Sequence, residues 1–403
     1  MPNNGKDISP QLVAAAGLNP FILHNSAARA VMFTSHIGQA LVIDGIEPRR
    51  IITGIESEYG KYTFKIEMPV NAQIIEVIDR YPRTMDNAIK INPETVVIYE
   101  NVDSKEICVM RIVNFYSMDK QFGFHYQHKP IKNRLVAGEY ISAGKVISDS
   151  PAVKEDGQYG YGVNANVAFM SVPQIIEDGV VVRRGFLEKL STNGFESRVA
   201  SWGSSRYPLN LYGDENNYKP FPDIGDRIRD DGLLFALRSC TRNDAILAPM
   251  EMTPASLMKP DFFYDTLIYA EPGAVVTDII VHHNTNSTNK GTPVGMEVQP
   301  EKYRRATSVF YKKILDTYYR IRKHRFNNDS NLELSPDFQQ LLVEAHSDSA
   351  VVKVGGKEEK VARTYKRATL DDWRVEIHYS YKITPTNGFK VTDCYGGFKL
   401  TSF

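Results

Sequence analysis

Charge of one sign is what this sequence most clearly lacks: 48 Lys and Arg balance 48 Asp and Glu over 403 residues. A free-standing nucleic-acid binder is usually basic, so any such contact must be local or shared with partners. Cysteine is scarce. Cys108, Cys240 and Cys394 are scattered, which excludes a disulfide framework and a zinc ligand set and fits a reducing compartment. No apolar run approaches the roughly 18 residues of a membrane span. The opening Met1-Pro2-Asn3-Asn4-Gly5-Lys6-Asp7 has no apolar stretch behind its lysine, so no signal peptide is expected. The phosphate-cradling Walker loop, the dinucleotide glycine fingerprint and the Gly-x-Ser-x-Gly elbow are all missing. With no such constellation, a single-chain hydrolase has no support.

What is present suits a folded chain of about two or three domains. Apolar residues make up 42% and charged residues 24%, enough for a core and too balanced for disorder. Residues 7–43 read as a loop and then a largely buried helix from Ala27 to Val42, with Asn25 or Ser26 as cap. Strands follow. Tyr62 to Met68 alternates apolar and polar, and Val96–Tyr99 and Ile107–Met110 flank a polar turn, Asn101 to Lys105, which predicts a hairpin. From Trp373 to Ile383 the alternation is strict, with Arg374, Glu376, His378, Ser380 and Lys382 on the polar face.

One pattern occurs twice. Gly138-Glu139 to Gly144 and Gly225-Asp226 to Gly232 each give a glycine-acid turn, an apolar residue, a second glycine and a strand, as small twisted barrels use. Residues 301–326 and 335–346 are the helical exception. Tyr303, Ala306, Phe310, Ile314 and Tyr318 recur at helical spacing, and Ser335, Pro336 and Asp337 mark a helix start. A helical hairpin in a β-rich chain is the expectation.

Several residue groups are able to do chemistry. His125-x-x-His128 lacks a third ligand at metal spacing, and His282 and His283 alternate across any strand, so both pairs read as structural. Between Lys302 and Arg325 stand nine Lys or Arg and one Asp. Such a face holds phosphate, is simply solvated, or docks a partner; Tyr311 and Tyr319 are available for stacking. Glu177-Asp178, ahead of Val180-Val181-Val182, supply hard oxygen ligands for a divalent metal, and a plain turn accounts for them as well. Arg29 is an odd charge on an apolar helix. A buried guanidinium there needs an ion-pair partner or a phosphate.

The order of these groups resembles the C-terminal, catalytic half of the β subunit of multisubunit DNA-directed RNA polymerases. The anchors are Asp7-Ile8-Ser9-x-Gln11-x-Val13, Pro20-Phe21-Ile22-x-His24-Asn25, Arg29-Ala30-x-Met32, Gln39-Ala40 and Gly54-Ile55-Glu56. Gly138–Ile147, Val167-Ala168-Phe169-Met170 with Glu177-Asp178, and Gly397-Phe398-Lys399-Leu400 complete the set. Brevity makes the chain most similar to the split β subunits of giant tailed phages.

The resemblance implies an α+β, mostly β fold: part of a double-psi β-barrel, a sandwich-barrel hybrid module and a flap with a helical hairpin. Residues 1–60 would be an N-terminal helix and fork-like segment, and 61–190 a β-rich core with part of the active-centre barrel. Residues 191–372 would be a flap-like domain carrying the hairpin 301–346, and 373–403 a return strand into the barrel. Arg29 would contact the nucleotide triphosphate, Gln39 the RNA backbone, and Lys399 the RNA 3′ region and nucleotide. Glu177 and Asp178 would lie near a second, nucleotide-borne Mg²⁺ through water.

Partners would be other β-like and β′-like subunits, DNA template, RNA product, NTPs and a promoter-specificity factor at the flap, with no membrane. The place of action would be the bacterial host cytoplasm, with packaging in the virion left open. Departures from the family pattern are Phe398 for an acid, Gly38 for an arginine, and Phe403 where the family continues into His-Gly-x-Lys-Gly. Gly388-Phe389-Lys390 rivals the match at Lys399. Asn-Ala-Asp-Phe-Asp-Gly-Asp, which holds the first Mg²⁺ in the β′ subunit, is absent, so polymerisation would need a partner. The alternative is a non-enzymatic β-rich assembly or virion protein that kept the fold without the activity.

Overall fold

A computed structural model describes residues 9–43, 46–47, 50–81, 91–114, 117–118, 125–131, 135–160, 162–171, 173, 179–203, 206–239, 253–283, 293, 295–327, 332–349, 351–354, 357–360, 371–386, 390–392 and 398–402. Lys399 and its strand neighbours are described by their backbone alone.

The chain is mixed α and β, with strands predominating. One four-stranded antiparallel sheet runs in the order β4 (Ile107–Val113), β3 (Glu94–Asn101), β2 (Ala72–Asp79), β7 (Tyr140–Ile141). The expected hairpin is its β3–β4 edge, with the turn's Lys105 at φ 63. β1 (Lys65–Glu67) pairs with β8 (Val146–Asp149). The alternating stretch Tyr62–Met68 thus yields only three strand residues, because the register shifts after Ile66 and Met68 turns into the core. β5 (Ser117–Met118) and β6 (His125–Tyr126) form a short ladder of their own.

A second sheet centres on β17 (Asp371–Ile383), between β10 (Thr192–Gly203) and β14 (Val275–His283). Its predicted alternation is realised: Trp373, Val375, Ile377 and Tyr379 are buried, and the residues between them are not. Beside it lies the sheet β11 (Arg206–Pro208), β12 (Leu233–Ser239), β13 (Thr266–Tyr269). β15 (Val351–Val354) pairs with β16 (Lys357–Lys360). The last sheet is β18 (Lys390–Thr392), β19 (Phe398–Ser402), β9 (Val180–Val181).

The repeated glycine pattern makes the same device twice. Gly138 N–H donates to Ile74 O, and Ile74 N–H to Glu139 O; Gly225 N–H donates to Val276 O, and Val276 N–H to Asp226 O. Each receiving strand bulges at the next residue, between Ile74 and Glu76 in β2 and between Val276 and Asp278 in β14. The apolar residue of each turn, Ile141 or Ile228, is buried beside a buried alanine, Ala72 or Ala274. Both leading glycines and both second glycines have φ between 75° and 88°. A residue with a Cβ resists that conformation.

Among the described residues the α-helices are α1 (Ser9–Gly17), α2 (Ala27–Gln39), α3 (Glu56–Gly60), α4 (Arg184–Leu187), α5 (Pro254–Leu257), α6 (Val298–Asn327) and α7 (Pro336–Ser349). The two expected helices of the 301–346 hairpin are α6 and α7. The Ser335 hydroxyl accepts from Phe338 N–H, so the expected cap is made. Phe310, Ile314, Phe338 and Leu341 form one core with Ile78, Val96 and Ile98, so the helix pair lies on the β2–β3–β4 sheet. A separate core joins Trp202, Phe221, Phe235, Tyr303, Trp373 and Ile377.

Two expectations fail near the beginning. The loop expected before α2 contains α1, where Ala14-Ala15-Ala16 favour helix. The helix expected to reach Val42 stops at Gln39. Gly38 weakens its last turn, Ala40 is extended, and the Val42 carbonyl accepts from the Thr192 hydroxyl.

Candidate active-centre residues

The fold fixes α2 from below. Phe33 and Ile37 pack with Leu18, Ala152 and Tyr159. Ser26 caps the helix, its hydroxyl accepting from Arg29 N–H at 3.3 Å. The chain enters through Phe21 at φ 58, a left-handed conformation rare for a bulky residue. Only Phe33, His36 and Ile37 of α2 are buried.

This overturns the expectation of a largely buried helix, and with it that of a buried Arg29. Arg29 is exposed and makes no ion pair among the described residues. Its cation stands in the first helical turn, where the helix dipole disfavours positive charge and favours an anion. Gln39 is exposed at the other end of α2. Ten residues of helix separate the two by about 15 Å along the axis.

The loop after α2 is tied to the region behind the acidic pair. Glu47 accepts from Asn164 N–H at 3.0 Å and pairs with Lys189 at 3.0 Å. The Lys189 contact, with help from the Asn164 amide, holds its carboxyl below the usual range. Glu56, in the Gly54-Ile55-Glu56 anchor, is buried. Burial pushes its carboxyl up, but Thr53 N–H at 2.8 Å, the Thr53 hydroxyl at 3.0 Å and Gly54 N–H at 2.8 Å outweigh that and lower it. The anchor thus makes a carboxylate-bound loop beneath the helix that carries Arg29.

Glu177 and Asp178 lie outside the described residues. The strand that follows them, β9, pairs in parallel with β19, with Thr401 opposite Val180 and Ser402 opposite Val181. Lys399 stands two residues before Thr401, and Asp178 two before Val180. The backbone therefore brings the strand of Lys399 alongside the strand that issues from the acidic pair. The β18–β19 hairpin also carries the rival lysine: Lys390 is opposite Leu400, and Lys399 opposite Val391. Adjacent carboxylates supply too few ligands to enclose Mg²⁺, which keeps several waters and shares its shell with phosphates. As a donor set Glu177 and Asp178 fit an outer, water-mediated place.

His128 is buried with both ring nitrogens engaged, Nδ1 with Ser148 Oγ at 2.8 Å and Nε2 with Val113 O at 2.7 Å. Among the described residues no three His, Cys, Asp or Glu side chains gather as a metal site.

A second charged cluster had no signal in the sequence. Arg80 pairs with Asp278 at 3.1 Å, and Arg111 with Glu94 at 2.6 Å and with Glu344 at 3.1 Å. These groups line a cavity of about 470 Å³ between the β2–β3–β4 sheet, β14 and α7. Burial pushes the Asp278 carboxyl up further than Arg80 pulls it down. Every charge here is answered by another, so the cluster reads as a clamp between sheets.

No family profile matches the chain. It is similar to the curated DNA-directed RNA polymerase subunit beta of Thermosipho melanesiensis, 24% identical over 186 residues, 45% of this chain and 15% of the relative. That of Dehalococcoides mccartyi is 28% identical over 167 residues, 41% of this chain and 12% of the relative. That of Corynebacterium urealyticum is 24% identical over 232 residues, 56% of this chain and 17% of the relative. The chain spans less than a fifth of the length of these relatives. The relationship is therefore β-like, partial and distant.

Proposed function

We propose that this chain is a β-like subunit of a multisubunit DNA-dependent RNA polymerase, acting only within a hetero-oligomer. One observation carries the reading. Apolar side chains stand in solvent on the segments that bear the resemblance: Phe21, Leu23, Val31 and Met32, then Val167, Phe169 and Met170. Leu23 is 93% exposed and Phe169 99%. Folded proteins seldom gather such side chains at the surface unless another chain covers them. The covering chains would be further β-like and β′-like subunits, as in the split polymerases of giant phages.

In that assembly Arg29 binds the triphosphate of the incoming nucleotide. A guanidinium fork matches phosphate oxygens and stabilises charge that develops on them. Gln39, further along the same exposed helix, bonds the RNA backbone. Lys399 contacts the RNA 3′ region from the strand beside β9. Glu177 and Asp178 orient the water shell of a nucleotide-borne Mg²⁺, whose principal ligands belong to a β′-like partner. When bound, the metal ions offset charge on the attacking and leaving oxygens. The barrel, hybrid module and flap-like part at 191–372 are proposed with the same assignment, and a promoter-specificity factor would dock on the flap. The complex would act on DNA template and NTPs in the bacterial host cytoplasm.

The test is Arg29→Ala in the reconstituted complex. Loss of a charged hydrogen-bonding group to phosphate is worth about 1.5–3 kcal/mol, so kcat/KM for NTPs should fall roughly ten- to hundredfold. Native mass spectrometry should show assembly intact. An intact complex whose nucleotide dependence is unchanged would remove Arg29 from the active centre and return the chain to a non-enzymatic role.

A further inference from the structure

The two cations assigned to the nucleotide and the RNA 3′ region lie far apart in the chain. Arg29 stands on α2, near the beginning. Lys399 stands on β19, near the end, and the backbone of β19 runs beside β9. To act on one nucleotide the two elements need a fixed separation, since a misplacement of about 1 Å can cost about a hundredfold in rate.

Glu47 sits where the two come together. It belongs to the loop that leaves α2, and its own N–H donates to Gly162 O at 3.2 Å. Its two carboxylate oxygens serve two different arms of the chain. Oε2 accepts from Asn164 N–H at 3.0 Å, and Oε1 accepts from Lys189 Nζ at 3.0 Å. Lys189 follows α4, which begins shortly after β9 and is pinned by the buried Leu187. β9 in turn pairs with β19, Thr401 opposite Val180. One carboxylate thus links the helix of Arg29, through Lys189 and β9, to the strand of Lys399. The Thr192 hydroxyl, donating to Val42 O, draws the same two stretches together a few residues away.

The Lys189 side chain is exposed and that of Glu47 is partly so. Water and salt screen an ion pair this open, and it adds little to stability. It is better suited to setting a position than to holding a fold. We infer that Glu47 is a positioning residue for nucleotidyl transfer: its contacts with Lys189 and Asn164 hold α2 at a set distance from the β9–β19 ladder, and so Arg29 from the strand of Lys399. This rests on the reading that brings those two cations to one nucleotide.

The experiment reverses the charges in the reconstituted complex. Glu47→Lys sets like charges against one another and should lower kcat for nucleotide addition roughly tenfold or more. KM for NTPs should stay within about twofold, since Arg29 still meets the triphosphate. Adding Lys189→Glu restores the attraction, though not the Asn164 contact, and should recover at least about threefold of the loss. Urea midpoints and native mass spectrometry should match wild type throughout. A double variant no better than Glu47→Lys alone would show that the pair is not the link. Unchanged kcat in Glu47→Lys, or a fall that tracks a lower urea midpoint or lost assembly, overturns the positioning role.

Arg29→Ala measured alongside separates the two questions. If it is silent, the active-centre reading fails; if it is impaired while Glu47→Lys is not, the positioning role alone fails. A distance measurement needs no catalysis. Ser35 and Val181 are both exposed, one on α2 and one on β9. Spin labels on Ser35→Cys and Val181→Cys, in a background of Cys108→Ser, Cys240→Ser and Cys394→Ser, report the separation in the full chain. Its distribution should broaden in Glu47→Lys and narrow again with Lys189→Glu. A distribution that Glu47→Lys leaves unchanged overturns the inference even if the chain proves to have no catalytic part.

Discussion

Asp223 is the residue whose replacement tests the architecture most directly. It sits between β11 and β12 in sequence, yet it holds the start of α6. Its carboxylate accepts from the Tyr303 hydroxyl at 2.6 Å and Gln299 Nε2 at 3.0 Å, and pairs with Lys219 at 2.9 Å and Lys302 at 3.4 Å. Burial pushes its carboxyl up. The Tyr303, Gln299 and Lys219 contacts outweigh that and hold it at about 2, below the usual 3.8. Because the folded value is the lower, the folded state binds fewer protons in this range. The stabilisation is therefore complete well above pH 4 and is lost as the pH falls towards 2.

A difference of nearly two pH units corresponds to about 2 kcal/mol. Asp223→Asn keeps the shape and loses the charge, so it should destabilise the chain by about 2 kcal/mol at pH 7. The gap between the two proteins should shrink to about half by pH 3, since Asp223 in the unfolded wild type is by then mostly protonated while the folded one still keeps most of its charge. Urea unfolding of both proteins at pH 7, 4 and 3 reads this out. A gap that stays constant with pH would show that Asp223 acts by shape alone and would refute the electrostatic account.

Two further substitutions probe packing and backbone. Phe310 is only 2% exposed between α7 and the β2–β3–β4 sheet, so Phe310→Ala should cost about 3–5 kcal/mol in denaturant unfolding; less than about 1 would mean that this core is not the seat of α6. Gly144 and Gly232 occupy equivalent places in the two glycine turns, but a Cβ at Gly144 meets open space and one at Gly232 would lie 2.7 Å from the Ala270 carbonyl oxygen. Gly144→Ala should cost about 1 kcal/mol for its left-handed backbone and Gly232→Ala clearly more, and equal thermal shifts would contradict the packing.

Strongly periodic segments were legible from sequence. The faces of β17 and α6 follow from spacing, because each element buries one side against its own chain. α2 was misread because apolar density does not say which chain does the burying: Val31 and Met32 look like core residues and stand in solvent. The Arg80–Asp278 pair joins residues 198 positions apart, and nothing local to either announces the other. Lys399 could be picked out only by resemblance; its position alongside β9 is a product of long-range strand pairing. Glu177 and Asp178 fall outside the described residues.

The paired glycine devices carry a consequence for ancestry. In the first, the bulged strand comes earlier in the chain and the turn that docks on it later, Ile74 before Gly138; in the second the sequence runs the other way, Gly225 before Val276. Head-to-tail copying of one continuous segment preserves order and cannot generate both. Either an ancestral unit was cut and rejoined at a new point, or unrelated stretches arrived independently at one inexpensive way to seat a left-handed glycine beside a kinked strand.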